Sequence, residues 1–136
     1  MKRKISDEAK RMVAKRAGYR CEYCRLPERD SLLKFHVEHI RSSKHGGSDG
    51  TENLAYSFPD CNRYKRTALG TYLYENESFT RFFNPRKDKW PDHFKVLEGV
   101  LYAQTDVGEA TIRIFQINSL DRVEIRQLLS DEDLYP

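Results

Sequence analysis

The chain has 136 residues and a mass of 16.1 kDa, with 33% charged, 38% hydrophobic and 12% aromatic residues; this suffices for one domain with its own core and is too little for two large ones. The wealth of rings argues against disorder, and no apolar run approaches the roughly 20 residues of a membrane span or follows the basic start Met1-Lys2-Arg3-Lys4, so membrane and secreted classes are excluded and a cytoplasmic protein is expected. The net charge of +3 is uneven: residues 1–66 carry 16 Lys and Arg against 9 Asp and Glu, a net of +7, while residues 67–136 carry 8 against 12, a net of −4, which points the first half towards a polyanionic partner.

Ser6-Asp7-Glu8 is a helix start, with a capping hydroxyl and acidic residues at the positive end of the dipole. Ala9, Met12, Val13 and Ala17 recur at helical spacing, Gly18 suits the stop, and the outward face carries Lys10, Arg11, Lys15 and Arg16. Tyr19 to Leu26 reads as a cysteine-bearing turn closed by Pro27, and Leu32 to Ile40 as a strand. The cluster Gly46-Gly47-Ser48-Asp49-Gly50 is a turn. Thr51 to Phe58 is a short extended segment, and Pro59-Asp60 opens a helix bearing Cys61, Asn62, Lys65 and Arg66. The first half thus has a ββα layout. Beyond Thr67 an aromatic-dense stretch follows, with Val96 to Tyr102 as a strand. Ala110 to Ile117 fits helix and strand equally, and Leu120 to Leu129 is a helix with Val123, Ile125, Leu128 and Leu129 as its apolar face. The acidic tail from Ser130 to Pro136 is expected to fray.

The chemistry-bearing residues lie between Cys21 and Arg66. In order they are Cys21-x-x-Cys24, His36-x-Glu38-His39, Gly46-Gly47, Glu52-Asn53-Leu54 and Cys61-Asn62-x-x-Lys65. Three cysteines in a reducing compartment suggest metal or redox chemistry rather than disulfides. Hydrolysis of a phosphodiester needs a base to activate water, a cation for the charge developing on phosphorus and the leaving oxygen, and groups that hold the backbone. A histidine beside a carboxylate, with an amide arriving from a separate helix, meets those needs. An imidazole is largely neutral near pH 7, and carboxylate and amide oxygens suit a hard cation such as Mg²⁺.

In these elements residues 17–66 closely resemble the HNH (His-Asn-His) endonuclease family, whose fold is a ββα-metal finger. Residues 82–118 are more loosely similar to the C-terminal extension of a bacterial subgroup. The resemblance implies His39 as general base, Glu38 and Asn62 as ligands of one divalent cation (Mg²⁺ or Mn²⁺), and Asn53 as a structural member of the catalytic site that hydrogen-bonds the hairpin loop so that His39 is aimed at the phosphate. It implies DNA as the partner, cut or nicked by one-metal hydrolysis. Lys65, Arg66, Arg63 and His45 are the candidate nucleic-acid contacts. His36 is a candidate third ligand, a phosphate contact, or a residue packed beside Phe35; His45 is equally a solvated loop residue.

Many members of that family close the finger with two C-x-x-C pairs on a structural Zn²⁺. Here Phe58 stands where the second pair would begin, leaving Cys21, Cys24 and Cys61. Either another group or water supplies a fourth zinc bond, or the site is lost and Phe58 plugs it as core; the reading leans to the second. The expected whole is an α+β protein, with residues 1–70 as nuclease core and basic N-terminal helix, and 71–136 as an extension packed on it. The rival reading is a non-catalytic nucleic-acid-binding module that keeps the finger for its shape. A redox protein built on Cys21-x-x-Cys24 lacks the βαβ context that such a motif requires. Oligomeric state has no signature in the sequence.

Overall fold

Ser6 caps the first helix as expected, its Oγ accepting from the Ala9 amide at 3.1 Å. Helix α1 spans Asp7–Arg16, with acidic residues in its first turn and Lys15 and Arg16 in its last. Gly18 follows at φ +65°, a conformation that ends helices at little cost to glycine. The computed structural model describes residues 5–29, 31–75 and 78–136; the basic start at residues 1–4 lies outside them. Helix α1 buries Val13 and Ala14 and packs across the first hairpin.

That hairpin pairs β1 (His36–His39) with β2 (Leu54–Ser57) antiparallel, setting Glu38 opposite Ala55 and His39 opposite Leu54. The strand is shorter than expected. Leu32 and Leu33 are exposed and have no partner strand among the described residues, and regular pairing begins at His36. Helix α2 (Pro59–Lys65) begins with proline in its first turn, where the missing amide hydrogen is harmless. The order is therefore strand, strand, helix, with α2 packed on β1.

The second half holds two more antiparallel hairpins, β3 (Gly70–Tyr72) with β4 (Phe79–Arg81) and β5 (Phe94–Leu97) with β6 (Val100–Ala103). A short helix α3 (Trp90–His93) precedes β5; α4 (Asp106–Ile114) and α5 (Leu120–Asp131) complete the chain. The single strand expected over 96–102 is in fact a hairpin turning at Glu98 and Gly99, both at positive φ. The ambiguous segment at 110–117 is helical as far as Ile114, its helix capped by Thr105 Oγ1 accepting from the Gly108 amide at 3.1 Å. Mixed helices and small antiparallel sheets make the fold α+β.

One hydrophobic core joins the halves. Tyr23 from the cysteine turn meets Phe115 and Phe83 edge-on at 5.0 and 6.5 Å between ring centres. Trp90 Nε1 donates to the Tyr23 carbonyl at 2.8 Å. Two expectations are overturned. The tail does not fray: Tyr135 is buried and its hydroxyl donates to the Cys24 carbonyl at 2.7 Å, while Arg20 holds the Leu134 carbonyl at 3.0 Å. Nor do the apolar residues of α5 form its buried side: Ile125 and Leu128 are exposed and Val123 and Leu129 half-buried, while Arg122 and Arg126 are buried at 1% and 0% exposure. Arg122 donates to carbonyls and to the Cys61 sulfur, and Arg126 to the Gly99 and Ile117 carbonyls, while Arg126 Nη1 is buried without a partner among the described residues.

Candidate active site

The loop between β1 and β2 is tied by Asn53. Its side-chain oxygen accepts from the Arg41 amide at 3.0 Å, and its Nδ2 donates to the carbonyls of Arg41 and Ser48 at 2.8 and 2.7 Å. Its backbone carbonyl takes the Ile40 amide at 2.8 Å. Gly46 turns the chain at φ +78°, and a Cβ on Gly47 would stand 1.6 Å from the Arg41 carbonyl oxygen, so this stapled loop requires a glycine at that point. The loop thereby carries Asp49 back to β1, where its Oδ1 lies 2.8 Å from His39 Nε2. The His39 side chain keeps a quarter of its surface exposed.

Glu38, one residue earlier, is buried, its side chain only 6% exposed. Lys65 from α2 places Nζ 3.6 Å from Glu38 Oε2 and donates to the His39 carbonyl at 3.1 Å. Burial pushes the Glu38 carboxyl up to about 7, against the opposing pull of the Lys65 charge. Burial, and then the Glu38 charge, hold the Tyr23 phenol well above its ordinary range. Glu38 Oε1 is buried and has no hydrogen-bond partner among the described residues. Asn62 is half-buried, three residues before Lys65 on the same face of α2. Its side-chain amide makes no hydrogen bond among the described residues. Carboxylate and amide oxygens are the donor types that a hard divalent cation takes.

The other expected contacts are dispersed. Lys65 is buried at 3% exposure, so it is a strut between β1 and α2 and not the phosphate contact that its place beside Asn62 suggested. Arg63 and Arg66 are exposed, Arg63 lying over the Tyr64 ring at 4.8 Å. His45 is exposed in the single turn Ser43–His45. His36 is exposed at the start of β1, away from the interior position of Glu38, and lines an open cleft of about 500 Å³ with Lys10, Arg11 and Lys34. Arg16, read as part of the outward basic face, instead donates to the carbonyls of Thr51 and Leu54 at 3.0 and 2.8 Å and ties α1 to the hairpin. A second cleft, lined by Ile40 and Lys65 among others, includes Arg41, Arg81 and Lys87.

Cys21, Cys24 and Cys61 converge, fully buried, with their sulfurs within 4.8 Å of one another. The amides of Tyr23 and Cys24 both point at Cys21 Sγ at 3.4 Å. Three soft donors are thus assembled, whereas a closed zinc site takes four. Beside them stand the Phe58 ring and the Arg122 guanidinium, whose Nη1 is 3.1 Å from Cys61 Sγ. Burial pushes the Cys21 thiol up to about 12. Burial acts on Cys24 in the same direction, but its sulfur neighbours and the Arg122 charge pull that thiol well below its ordinary range.

Asp49 and Arg122 are the residues that sequence reasoning missed. An acidic side chain inside the turn that closes a histidine-bearing hairpin was the available signal for Asp49. Arg122 had none, since its neighbours read as a solvated helix face. Compared with known proteins, residues 21–67 match the family model described as HNH endonuclease. No curated protein and no solved structure matches the chain.

Proposed function

From the match of residues 21–67 to the family model described as HNH endonuclease, we propose that the protein is a metal-dependent endonuclease that nicks or cuts DNA, with β1, β2 and α2 as its ββα-metal finger. The observation that carries this reading is His39 at the end of β1, partly exposed and anchored on Asp49 at 2.8 Å by a loop that Asn53 ties, with the buried Glu38 one residue before it. Residues 1–70 form the nuclease core and 71–136 the extension packed on it.

Asp49 takes the Nε2 hydrogen of His39, which leaves Nδ1 with the lone pair that accepts a proton from the attacking water. Asn53 fixes the loop that carries Asp49 and so fixes the ring. Glu38 and Asn62 would hold a divalent cation, Mg²⁺ or Mn²⁺, which would neutralise charge on the phosphate and the leaving oxygen. Arg63, Arg66 and His45, with the cleft lined by Lys10, Arg11, Lys34 and His36, supply phosphate contacts. Such contacts position a duplex without reading its bases, so sequence preference is weak.

A plasmid nicking assay with Mg²⁺, Mn²⁺, Ni²⁺ or EDTA tests the reading. Conversion of supercoiled DNA to nicked or linear product, stopped by EDTA and restored by excess Mg²⁺ or Mn²⁺, is expected. Salt-sensitive DNA binding without cleavage in any metal would establish a binding module instead.

The buried Lys65 leads to a separate expectation. Lys65→Ala leaves Glu38 without its counter-charge in the interior and should cost about 3 kcal/mol of stability, the low end for breaking a buried pair. The slope of DNA affinity against salt should stay at the wild-type value. If that slope flattens by about 0.9, the loss of one phosphate contact, while the denaturation midpoint holds, Lys65 reaches the DNA after all.

A further inference from the structure

Arg122 is an unusual residue to bury. It lies on α5 at 1% exposure, and it forms no ion pair with a carboxylate among the described residues. Its donors are nevertheless engaged: Nη2 donates to the carbonyls of Phe115 and Gln116, Nε to Ser119 Oγ at 3.4 Å, and Nη1 to Cys61 Sγ at 3.1 Å. The guanidinium lies 5.7 Å from the centre of the Phe58 ring. A buried cation without a counter-group is costly, and the groups that favour the charge of this one are the Cys61 and Cys24 sulfurs, then the Asp60 carboxylate beyond ion-pair distance, with the Phe58 face beside it.

We propose that Arg122 takes the place of a structural metal: its guanidinium caps the Cys21, Cys24 and Cys61 cluster where a fourth ligand would stand, Phe58 closes that side, and the finger is held together without zinc. A guanidinium has no lone pair to offer a metal. Its positive charge 3.1 Å from Cys61 Sγ opposes a second cation among the same sulfurs. The cluster is fully buried, so solvent water has no open route to a fourth coordination position. A charge-assisted N–H···S contact and a cation–π contact provide directional cohesion in the metal's stead. The centre joins three parts of the chain: the turn at 21–24, α2 through Cys61, and α5 through Arg122.

Metal analysis of wild-type protein, purified without added zinc and again after zinc loading and dialysis, is the test. The wild type is expected to hold essentially no zinc, and its Tm should not respond to EDTA. Arg122→Met keeps the side-chain length, removes the cation, and should lower Tm by about 10 °C. The double variant Phe58→Cys, Arg122→Met opens the fourth place and puts a thiol three residues before Cys61, as Cys21 stands before Cys24. It should take up about one zinc per chain and recover Tm when zinc is supplied. One zinc per wild-type chain, or a wild-type Tm lowered by EDTA, overturns the proposal. So does a double variant that folds and stays zinc-free after loading, because the place would then not be a fourth vertex.

Discussion

His39→Ala is expected to reduce metal-dependent nicking by about 10²–10⁴-fold, the contribution of a positioned general base, while DNA affinity stays close to wild type. The imidazole is a quarter exposed and faces the loop, and no backbone hydrogen bond of the hairpin depends on it, so the fold survives its loss. Asp49→Ala should give a smaller fall in rate, because the ring remains but loses the carboxylate 2.8 Å from its Nε2. Single-turnover cleavage and an equilibrium binding assay on the same preparations separate the two effects. A His39→Ala protein that nicks at the wild-type rate removes His39 as the base, and with it the role given to Asp49.

Trp90→Ala should be the most destabilising single truncation between the two halves, costing about 3–5 kcal/mol. The indole is buried, packs on Phe94 at 5.0 Å between ring centres, and lies under the Arg25 guanidinium at 5.2 Å. Its Nε1 satisfies the Tyr23 carbonyl inside the cysteine turn at 2.8 Å. Truncation therefore empties a large volume and orphans a buried acceptor together. Trp90→Phe keeps most of the apolar contact and loses the hydrogen bond, an expected cost of about 1–3 kcal/mol. Denaturant unfolding distinguishes the two. A Trp90→Ala midpoint within about 0.5 kcal/mol of wild type, the range of ordinary surface changes, would mean that the second half does not support the finger through this residue.

Much of the first half was legible in the chain because its signals are local. A serine before two acidic residues, a Pro-Asp helix start and a Gly-Gly turn each act over a few residues through backbone geometry, and α1, α2 and the loop fall where those residues put them. The second half was harder to read for the same reason. A hairpin turning at Glu98-Gly99 looks like one strand when the turn is only two residues long, and β3 and β4 are three residues each, too short for a period to declare itself.

At the site, the sequence by itself determined which residue types lie near one another in the chain: a carboxylate beside a histidine, an asparagine closing the loop, an amide three residues ahead of a lysine. Tertiary structure alone decided what each one faces. Strand alternation and the packing of α2 sent Glu38 inward against Lys65 and left His39 towards the loop, where Asp49 arrives from ten residues away. Hydropathy assigns arginine to solvent because an unpaired guanidinium is costly to bury. The fold reverses the assignment by bringing the carbonyls of Phe115, Gln116, Ile117 and Gly99 and the sulfur of Cys61 around Arg122 and Arg126. Acceptors gathered from such distant parts of the chain satisfy a buried charge in a way that no local pattern encodes.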